Sequence, residues 1–151
     1  MLKKEGLISY IGQARELANS FISARLAARD IYDILPSQGG IFGLLYSNDG
    51  KVQMKYIPEA VKRTKSTVNC LVNTLEKNGY IKKSASTTDK RVSFVELTQK
   101  GWDLQPVFRD ISRELIETII QNIDSPETEI FLNTLSKIII NLQCNNRKQI
   151  N

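Results

Sequence analysis

The spacing of apolar residues predicts a mainly helical chain with one amphipathic helix at its centre. Over residues 64–79, apolar side chains recur at i, i+3, i+4 and i+7, which is one face of an α-helix: Val68, Leu71, Val72 and Leu75. Thr64 suits the N-cap of this helix, because its hydroxyl can accept a backbone N–H of the first turn. Gly79 suits the left-handed position that follows the last turn.

The same periodicity predicts amphipathic helices on both sides of the central one. They cover residues 6–30, 36–47 and 54–61 before it and 99–123 after it, and a last helix begins near Ser125. Pro106 should kink or restart the helix over 99–123. Ser125 is expected to cap the last helix, with Pro126 in its first turn. The glycines of the second helix suggest a close backbone approach there: Gly39, Gly40 and Gly43.

A β-hairpin is predicted directly after the central helix. Residues 80–85 and 92–97 carry β-forming side chains and flank a polar loop that ends Asp89-Lys90-Arg91. Beside a pair of helices, a basic hairpin is a wing, which can lie along the DNA backbone or enter the minor groove, where Arg is favoured. A plain ion pair between Asp89 and Arg91 is the alternative. The two are compatible, because such a pair can hold the loop in shape.

The polar face of the central helix is suited to reading DNA. Opposite the apolar stripe it presents small hydrogen-bonding groups and one positive charge, with no carboxylate at its centre: Ser66, Asn69, Cys70, Asn73 and Lys77. Such a helix fits the major groove, where donors and acceptors on base edges are read. With the short helix over 54–61 before it, it forms a helix-turn-helix. Taken alone, this face is more typical of an ordinary solvated surface helix.

The distribution of charge favours the DNA-binding interpretation. The chain has a net charge of +5, and residues 51–101 hold eleven Lys and Arg against four Asp and Glu. The remainder holds ten basic against twelve acidic residues, so all of the positive excess lies on the segment with the central helix. Lys and Arg clustered on one module are typical of proteins that bind the phosphate backbone.

The composition argues against catalysis and against a membrane location. The sequence contains no His, which removes His-based acid–base chemistry and most transition-metal sites. No phosphate-binding glycine loop is present, and two cysteines do not make a disulfide framework. No apolar run approaches the roughly 20 residues that span a bilayer. We therefore expect a cytoplasmic, single-domain protein that is not an enzyme, with no metal and no cofactor.

The outer helices are more apolar than one small domain needs for itself. This predicts a homodimer held by the first and the last two helices. Two central helices related by a two-fold axis would then enter successive major grooves about 34–36 Å apart, on an imperfect palindrome.

Several motifs together resemble the MarR family of bacterial transcriptional regulators. They are Lys65-Ser66-Thr67-Val68, Leu71-Val72, Leu75 through Ile81, Asp89-Lys90-Arg91-Val92 and Leu97 through Gly101. Each is weak alone, but their order and spacing are specific, and the resemblance covers most of the chain. It implies a winged helix-turn-helix, mainly α with a small β-wing and N- and C-terminal dimerisation helices.

The resemblance also implies roles for particular residues and segments. Residues 32–100 would form the DNA-binding module, and residues 1–31 and 101–146 the helical dimerisation region of a single chain. The partner would be double-stranded DNA, bound by the side chains of Lys65, Ser66, Thr67, Asn69, Asn73, Lys90 and Arg91. Asp89 would hold the wing tip. Members of the family are most often repressors, and many release DNA when a small aromatic or anionic effector binds between the two parts.

The chain departs from the family pattern at two positions. Cys70 stands where Arg is frequent, which removes a contact to guanine or phosphate and alters affinity or sequence preference. A redox role for Cys70 is the alternative to a small tolerated residue. Gln38 replaces a histidine of the similar segment Pro-Ser-His-Gly, which affects any effector site built on that histidine. Five aromatic residues are candidates to line such a site or to pack in the core: Tyr10, Phe21, Tyr32, Phe42 and Trp102.

Two other functional classes remain open on the sequence. A winged-helix adapter that binds protein instead of DNA would lack a salt-sensitive affinity for DNA, whereas a regulator would show a steep salt dependence. An enzyme would require a catalytic constellation, and none is found.

Overall fold

In the computed structural model, residues 3–89 and 91–148 are described. Within them the helices are α1 (Leu7–Ala27), α2 (Gly39–Tyr46), α3 (Ile57–Ala60), α4 (Lys65–Lys77), α5 (Gln99–Asp103), α6 (Gln105–Ile119) and α7 (Ser125–Lys148). The strands are β1 (Lys51–Gln53), β2 (Ile81–Ala85) and β3 (Ser93–Leu97). Short 3-10 turns precede the first three helices, at Lys4–Gly6, Pro36–Gln38 and Met54–Tyr56. The predicted fold class, helices with a small β-wing, is confirmed.

The chain divides into two compact units, Met1–Leu115 and Ile116–Asn151, with the boundary inside α6. The first unit holds the buried core, to which α1 through α6 and the sheet contribute. The second holds the end of α6 and all of α7. Among residues 116–145, every side chain is exposed or half-buried in the single chain.

Both predicted ends of the central helix are confirmed. The Oγ1 atom of Thr64 accepts the backbone N–H of Thr67 at 3.2 Å, which caps the first turn of α4. Gly79 has a φ of +77°, the left-handed conformation that glycine adopts without strain. The backbone N–H of Gly79 donates to the carbonyl of Glu76, and that of Tyr80 donates to the carbonyl of Leu75. This pair of bonds is a Schellman motif, and it turns the chain directly into β2.

The wing is a sheet of three strands, with one more than the sequence predicted. The strands are antiparallel in the order β1-β3-β2, with Lys51 opposite Glu96 and Ile81 opposite Leu97. The predicted hairpin of β2 and β3 is present. β1 was not predicted, because its three residues are too few to show a strand's alternation and only the pairing with β3 defines it.

The predicted helix over 99–123 is two helices. The first, α5, ends at Asp103, and α6 begins at Gln105 with Pro106 in its first turn, where a missing N–H costs nothing. The expected restart at Pro106 is therefore confirmed, although α6 ends earlier, at Ile119.

The predicted cap of the last helix is wrong by one residue. The Oδ1 atom of Asp124 accepts a hydrogen bond from the backbone N–H of Glu127 at 2.8 Å, and Oε2 of Glu127 accepts one from the backbone N–H of Asp124 at 3.3 Å. This reciprocal capping box makes Asp124 the cap and Ser125 the first helical residue. Asp and Ser are comparable caps, so sequence alone did not separate them.

The close backbone approach also lies elsewhere than predicted. A Cβ added to Gly39 or Gly43 would meet no atom within 4 Å, and one added to Gly40 would make an ordinary contact with Val61. At Gly101, by contrast, a Cβ would collide with the carbonyl oxygen of Tyr80. The fold therefore requires glycine at the start of α5, where it passes the end of the central helix.

Candidate nucleic-acid interface

The rotation of α4 is determined by its apolar stripe. Val68, Val72 and Leu75 are fully buried, which leaves the opposite face to solvent. The residues predicted to contact DNA from this helix lie on the exposed face: Lys65, Ser66, Thr67, Asn69 and Asn73. Cys70 is exposed on the same face. A helix with one buried stripe and a polar outer face, preceded by the short α3, has the geometry of a recognition helix.

One of these predicted residues is engaged within the chain. The Oγ1 atom of Thr67 lies 2.9 Å from Oγ1 of Thr64, the residue that caps α4. The hydroxyl of Thr67 therefore supports the helix start.

A second predicted residue, Asn73, is joined to the wing. Its Oδ1 accepts a hydrogen bond from Nζ of Lys83 at 2.5 Å. The same ammonium lies 2.9 Å from Oε2 of Glu76, and the backbone N–H of Lys83 donates to Oε1 of Glu76 at 2.9 Å. These bonds from Lys83 hold the pKa of Glu76 below its ordinary value.

Lys83 was not among the residues predicted from sequence. The sequence did indicate which way Lys83 faces, because it lies two residues after the buried Ile81 in β2 and residues two apart in a strand share a face. Only the fold shows that this face lies next to Glu76 and Asn73 of α4.

The tip of the wing is shaped by Asp89. Its Oδ1 accepts the backbone N–H of Arg91 at 2.9 Å and lies 3.4 Å from Nε of the same residue. The side chain of Arg91 is nevertheless 94% exposed, so it is held at its base and free to reach outward. Lys90, the third residue predicted here, lies outside the described residues.

The carboxylate of Glu96 links all three strands of the sheet. Glu96 on β3 lies 2.8 Å from Nζ of Lys51 on β1 and 3.5 Å from Nζ of Lys82 on β2. It also accepts the hydroxyl of Ser84 at 2.5 Å. The hydrogen bonds from Lys51 and Ser84 lower the pKa of Glu96 to about 2. Glu96 thereby ties together all three strands that carry the wing.

The end of α4 is anchored to the segment before α2. Asp33 accepts a bond from the hydroxyl of Tyr80 at 2.7 Å, and its backbone carbonyl accepts Nδ2 of Asn78 at 2.9 Å. Lys100 lies 3.5 Å from the Asp33 carboxylate and donates to the carbonyl of Asn78 at 2.8 Å. Position and tilt of the central helix therefore depend on residues well outside it.

A cavity of about 370 Å³ lies within the first unit, between α1, α2 and α6. Its lining is mostly apolar and includes Leu26, Leu35, Phe42, Tyr46 and Phe108, with Arg109 as a cation. Of the five aromatic candidates from the sequence, only Phe42 is among the lining residues.

The remaining aromatic candidates and Gln38 lie elsewhere. Trp102 packs against Tyr46 in an aromatic cluster, with 5.8 Å between ring centroids. Gln38, in the turn before α2, is fully buried; its Oε1 accepts the N–H of Leu35 at 2.8 Å, while its Nε2 has no partner among the described residues.

Two further observations bear on the interface. Among residues 3–89 and 91–148, no group of His, Cys, Asp or Glu is arranged to hold a metal ion. None of the helices in that part of the chain has the length and apolar character needed to cross a membrane.

Taken together, α3, α4 and the hairpin define a winged helix-turn-helix. The sequence profile described as "MarR family" matches residues 32–92, which contain α3, α4 and β2 and end just before β3. This match covers about two fifths of the chain and supports the prediction, made from the motifs, of a winged-helix regulator of the MarR family.

Named relatives agree with this assignment. The chain is 28% identical over 94 residues to the HTH-type transcriptional regulator SarZ of Staphylococcus haemolyticus, a match that spans 62% of this chain and 63% of that protein. This is slightly less than two thirds of that relative's length. This chain is also 27% identical over 107 residues to the HTH-type transcriptional regulator MhqR of Bacillus subtilis, a match that spans 70% of this chain and 72% of MhqR. These relatives are regulators, in agreement with the expectation that the chain is not an enzyme.

A solved structure extends the similarity to almost the whole fold. The S. aureus MepR–DNA complex superposes with a TM-score of 0.79 at 25% identity, covering 93% of this chain and 99% of that one.

Proposed function

We propose that this protein is a sequence-specific DNA-binding repressor that acts as a homodimer on a pseudo-palindromic operator and is released by a small effector. The observation that carries the proposal is the exposed polar face of α4 beside a wing tip with an outward Arg91. MepR, whose fold is shared over almost the whole chain, was crystallised with DNA.

The residues of α4 would divide between bases and phosphates. Ser66, Asn69 and Asn73 carry groups that pair with base edges in the major groove, and Thr67 lies beside them at the capped end. Lys65, in the first turn, is placed for a phosphate contact. Contacts to phosphate supply affinity and register, whereas contacts to base edges supply sequence preference.

The wing would contribute the second contact. Arg91 would enter the minor groove, where a narrow groove concentrates negative potential, and Asp89 would hold the tip in position. Lys90, between them in sequence, is assigned to the same contact from its position alone.

The dimer is supported by apolar surface that the single chain leaves exposed. On α1 this surface consists of Leu7, Ile8, Ile11 and Leu17. In the second unit it consists of Ile116, Ile119, Ile120, Ile123, Ile130, Phe131, Leu132, Ile139, Ile140 and Leu142. Large apolar side chains left exposed in such numbers on particular helices favour a protein–protein interface. We therefore assign residues 1–31 and 101–146 to dimerisation and 32–100 to DNA binding.

The cavity between α1, α2 and α6 is the candidate effector site. Its volume of about 370 Å³ is within the range of small-molecule sites, and its apolar lining with Arg109 suits an aromatic anion. Leu35 and Pro36 line it and follow Asp33, which holds the end of α4. A ligand that moves this segment would move the recognition helix. A protein with this role works in the cytoplasm, where bacterial DNA is located.

Selection of genomic fragments on the purified protein tests the proposal. We expect an enriched, imperfectly palindromic sequence, bound by a dimer with an affinity that falls steeply with salt, by a slope of about −0.9 per phosphate neutralised. Enrichment of no sequence, together with a flat salt dependence, would instead favour the protein-binding adapter.

A further inference from the structure

The side-chain amide of Asn73 is held by a residue that is itself fixed at two points. The backbone N–H and the ammonium of Lys83 donate to the two carboxylate oxygens of Glu76, each at 2.9 Å. From that position Nζ of Lys83 also donates to Oδ1 of Asn73 at 2.5 Å. An isolated surface ion pair contributes little free energy. This arrangement matters because it fixes an orientation.

The chemistry of Lys83 decides which end of the Asn73 amide faces it. An ammonium has three donors and no acceptor, so only the amide oxygen can pair with it. The amide nitrogen would instead place its own N–H donors against those of the ammonium, which is unfavourable. The usual ambiguity between the oxygen and nitrogen of an Asn side chain is therefore removed by the neighbour. The NH2 group of Asn73 is the end that points away from Lys83.

We propose that Lys83 is a positioning residue that makes Asn73 read DNA as a hydrogen-bond donor. An unconstrained Asn pairs with adenine through both groups, accepting from N6 and donating to N7. The bond from Lys83 turns the Asn73 oxygen toward the wing and takes one of its two lone pairs, so Asn73 meets the groove with its NH2 group. That group favours base edges whose acceptors are not accompanied by a donor that needs the oxygen: N7 and O6 of guanine, or O4 of thymine. Lys83 thus sets a base preference through Asn73. This inference rests on the proposed function.

Three substitutions of lysine separate this role from a simple loss of charge. Lys83→Met removes the donors and keeps the length of the side chain, whereas Lys83→Arg keeps the donors. Lys82→Met is the matched control, because Lys82 is the next residue on β2 and pairs with Glu96 instead. Each full-length variant is tested on the sequence selected by the wild type and on its single base-pair changes.

We expect Lys83→Met to shift the relative affinity toward adenine at one base pair of each half-site, by about tenfold. Lys83→Arg should keep the wild-type preference. Lys82→Met should weaken binding to all sequences equally, as the loss of a general positive charge does. An equal effect of Lys83→Met on all sequences would overturn the proposal, since it would mean that Lys83 contributes charge only.

Two changes at Asn73 test whether Lys83 acts through it. In an Asn73→Ala background, Lys83→Met should leave base preference unchanged, and a remaining shift would contradict the proposal. Asn73→Asp keeps an acceptor for Lys83 but removes the NH2 group, so it should abolish the preference for guanine or thymine at that position. A retained preference in Asn73→Asp would overturn the proposal even if Lys83→Met does not fold, because Asn73 would then not be read through its NH2 group.

The free protein provides a measurement that does not depend on DNA. The side-chain NH2 resonances of Asn73 should move in Lys83→Met and stay in place in Lys82→Met. If they move and base preference does not change, the inference is wrong while the proposed function stands. If the wild type selects no DNA sequence, the proposed function fails, and the inference fails with it.

Discussion

The hydroxyl of Tyr80 donates a 2.7 Å hydrogen bond to Oδ1 of Asp33, 47 residues earlier in the chain. Burial raises the pKa of Tyr80 above its ordinary value, and the bond to Asp33 raises it further, so the hydroxyl remains a donor. Lys100 lies over the Tyr80 ring at 4.0 Å and 3.5 Å from the Asp33 carboxylate. The segment before α2, the end of α4 and the start of α5 therefore meet at one residue.

Removing the Tyr80 hydroxyl should destabilise the fold modestly. Tyr80→Phe loses one hydrogen bond, worth about 1 kcal/mol, and leaves Asp33 partly accessible to water. Asp33→Ala should cost more, because Tyr80 and Lys100 both lose a partner. Urea unfolding measures both. The control is Tyr56→Phe, because Tyr56 is 54% exposed and its substitution should leave the midpoint unchanged. Equal midpoints for Tyr80→Phe and Tyr56→Phe would show that the bond contributes nothing.

The ion pairs of Glu96 should make the wing sheet sensitive to acid. Hydrogen bonds from Lys51 and Ser84 lower the pKa of Glu96 from its ordinary value of 4.5 to about 2 in the folded protein. A carboxyl group with a lowered pKa contributes stability that is present above its ordinary pKa and is lost as the pH falls through the folded value. Glu96→Gln should therefore unfold with a weaker pH dependence between pH ~5 and ~2 than the wild type.

The measurement is the free energy of unfolding in urea across that pH range. Glu16→Gln serves as the charge-matched control, because its side chain is 67% exposed and pairs only with its neighbour Arg15 among the contacts described. The prediction is contradicted if Glu96→Gln and the wild type lose stability in parallel as the pH falls.

Arg91→Ala should weaken DNA binding without unfolding the protein. The side chain is 94% exposed, so the folded state loses almost no packing. Loss of a groove contact should cost about 1–3 kcal/mol and reduce the salt slope by about 1. Gel-shift titrations at several salt concentrations measure both quantities. Arg113→Ala removes the same charge from α6, at a side chain that is 65% exposed, and should bind like the wild type. If the two variants weaken binding alike, Arg91 acts only through net charge.

Asn69→Ala should change sequence preference more than overall affinity. Asn69 is exposed on α4, where it flanks the buried stripe of Val68 and Val72. A lost base contact should cost about 1–3 kcal/mol on the preferred sequence and much less on variants at that base pair. Competition binding against an operator library measures this. An unchanged profile would place Asn69 away from the bases.

Two glycines should respond oppositely to alanine. Gly43 lies inside α2 with no atom within 4 Å of an added Cβ, so Gly43→Ala should stabilise the protein by about 0.5–1 kcal/mol. Gly101→Ala should destabilise it by more, because the methyl group would strike the backbone carbonyl of Tyr80, which cannot move aside easily. Thermal unfolding of the two variants compares them directly. A stabilising Gly101→Ala would mean that α5 can shift away from the end of α4.

Most of the helices and the hairpin could be predicted from sequence patterns that span only a few residues. The limits of α4 followed from Thr64, the apolar stripe and Gly79, because caps and periodicity act within a few residues of one another. The hairpin followed from its β-forming runs and the loop ending at Arg91 for the same reason. The misplaced cap at Asp124 shows the limit of this approach, since two adjacent residues of similar capping strength compete and only the hydrogen bonds decide.

The sequence by itself therefore determined the resemblance to the MarR family, the order of the helices and the hairpin, and the polar face of the recognition helix. The tertiary structure alone decided that β1 joins the wing, that Gly101 lies against Tyr80, and that Asp33 and Lys83 hold α4 from outside. Each of these depends on residues brought together across loops or between strands and helices. Periodicity along the chain cannot encode such contacts, because it describes one element at a time, whereas their geometry is created when the elements pack.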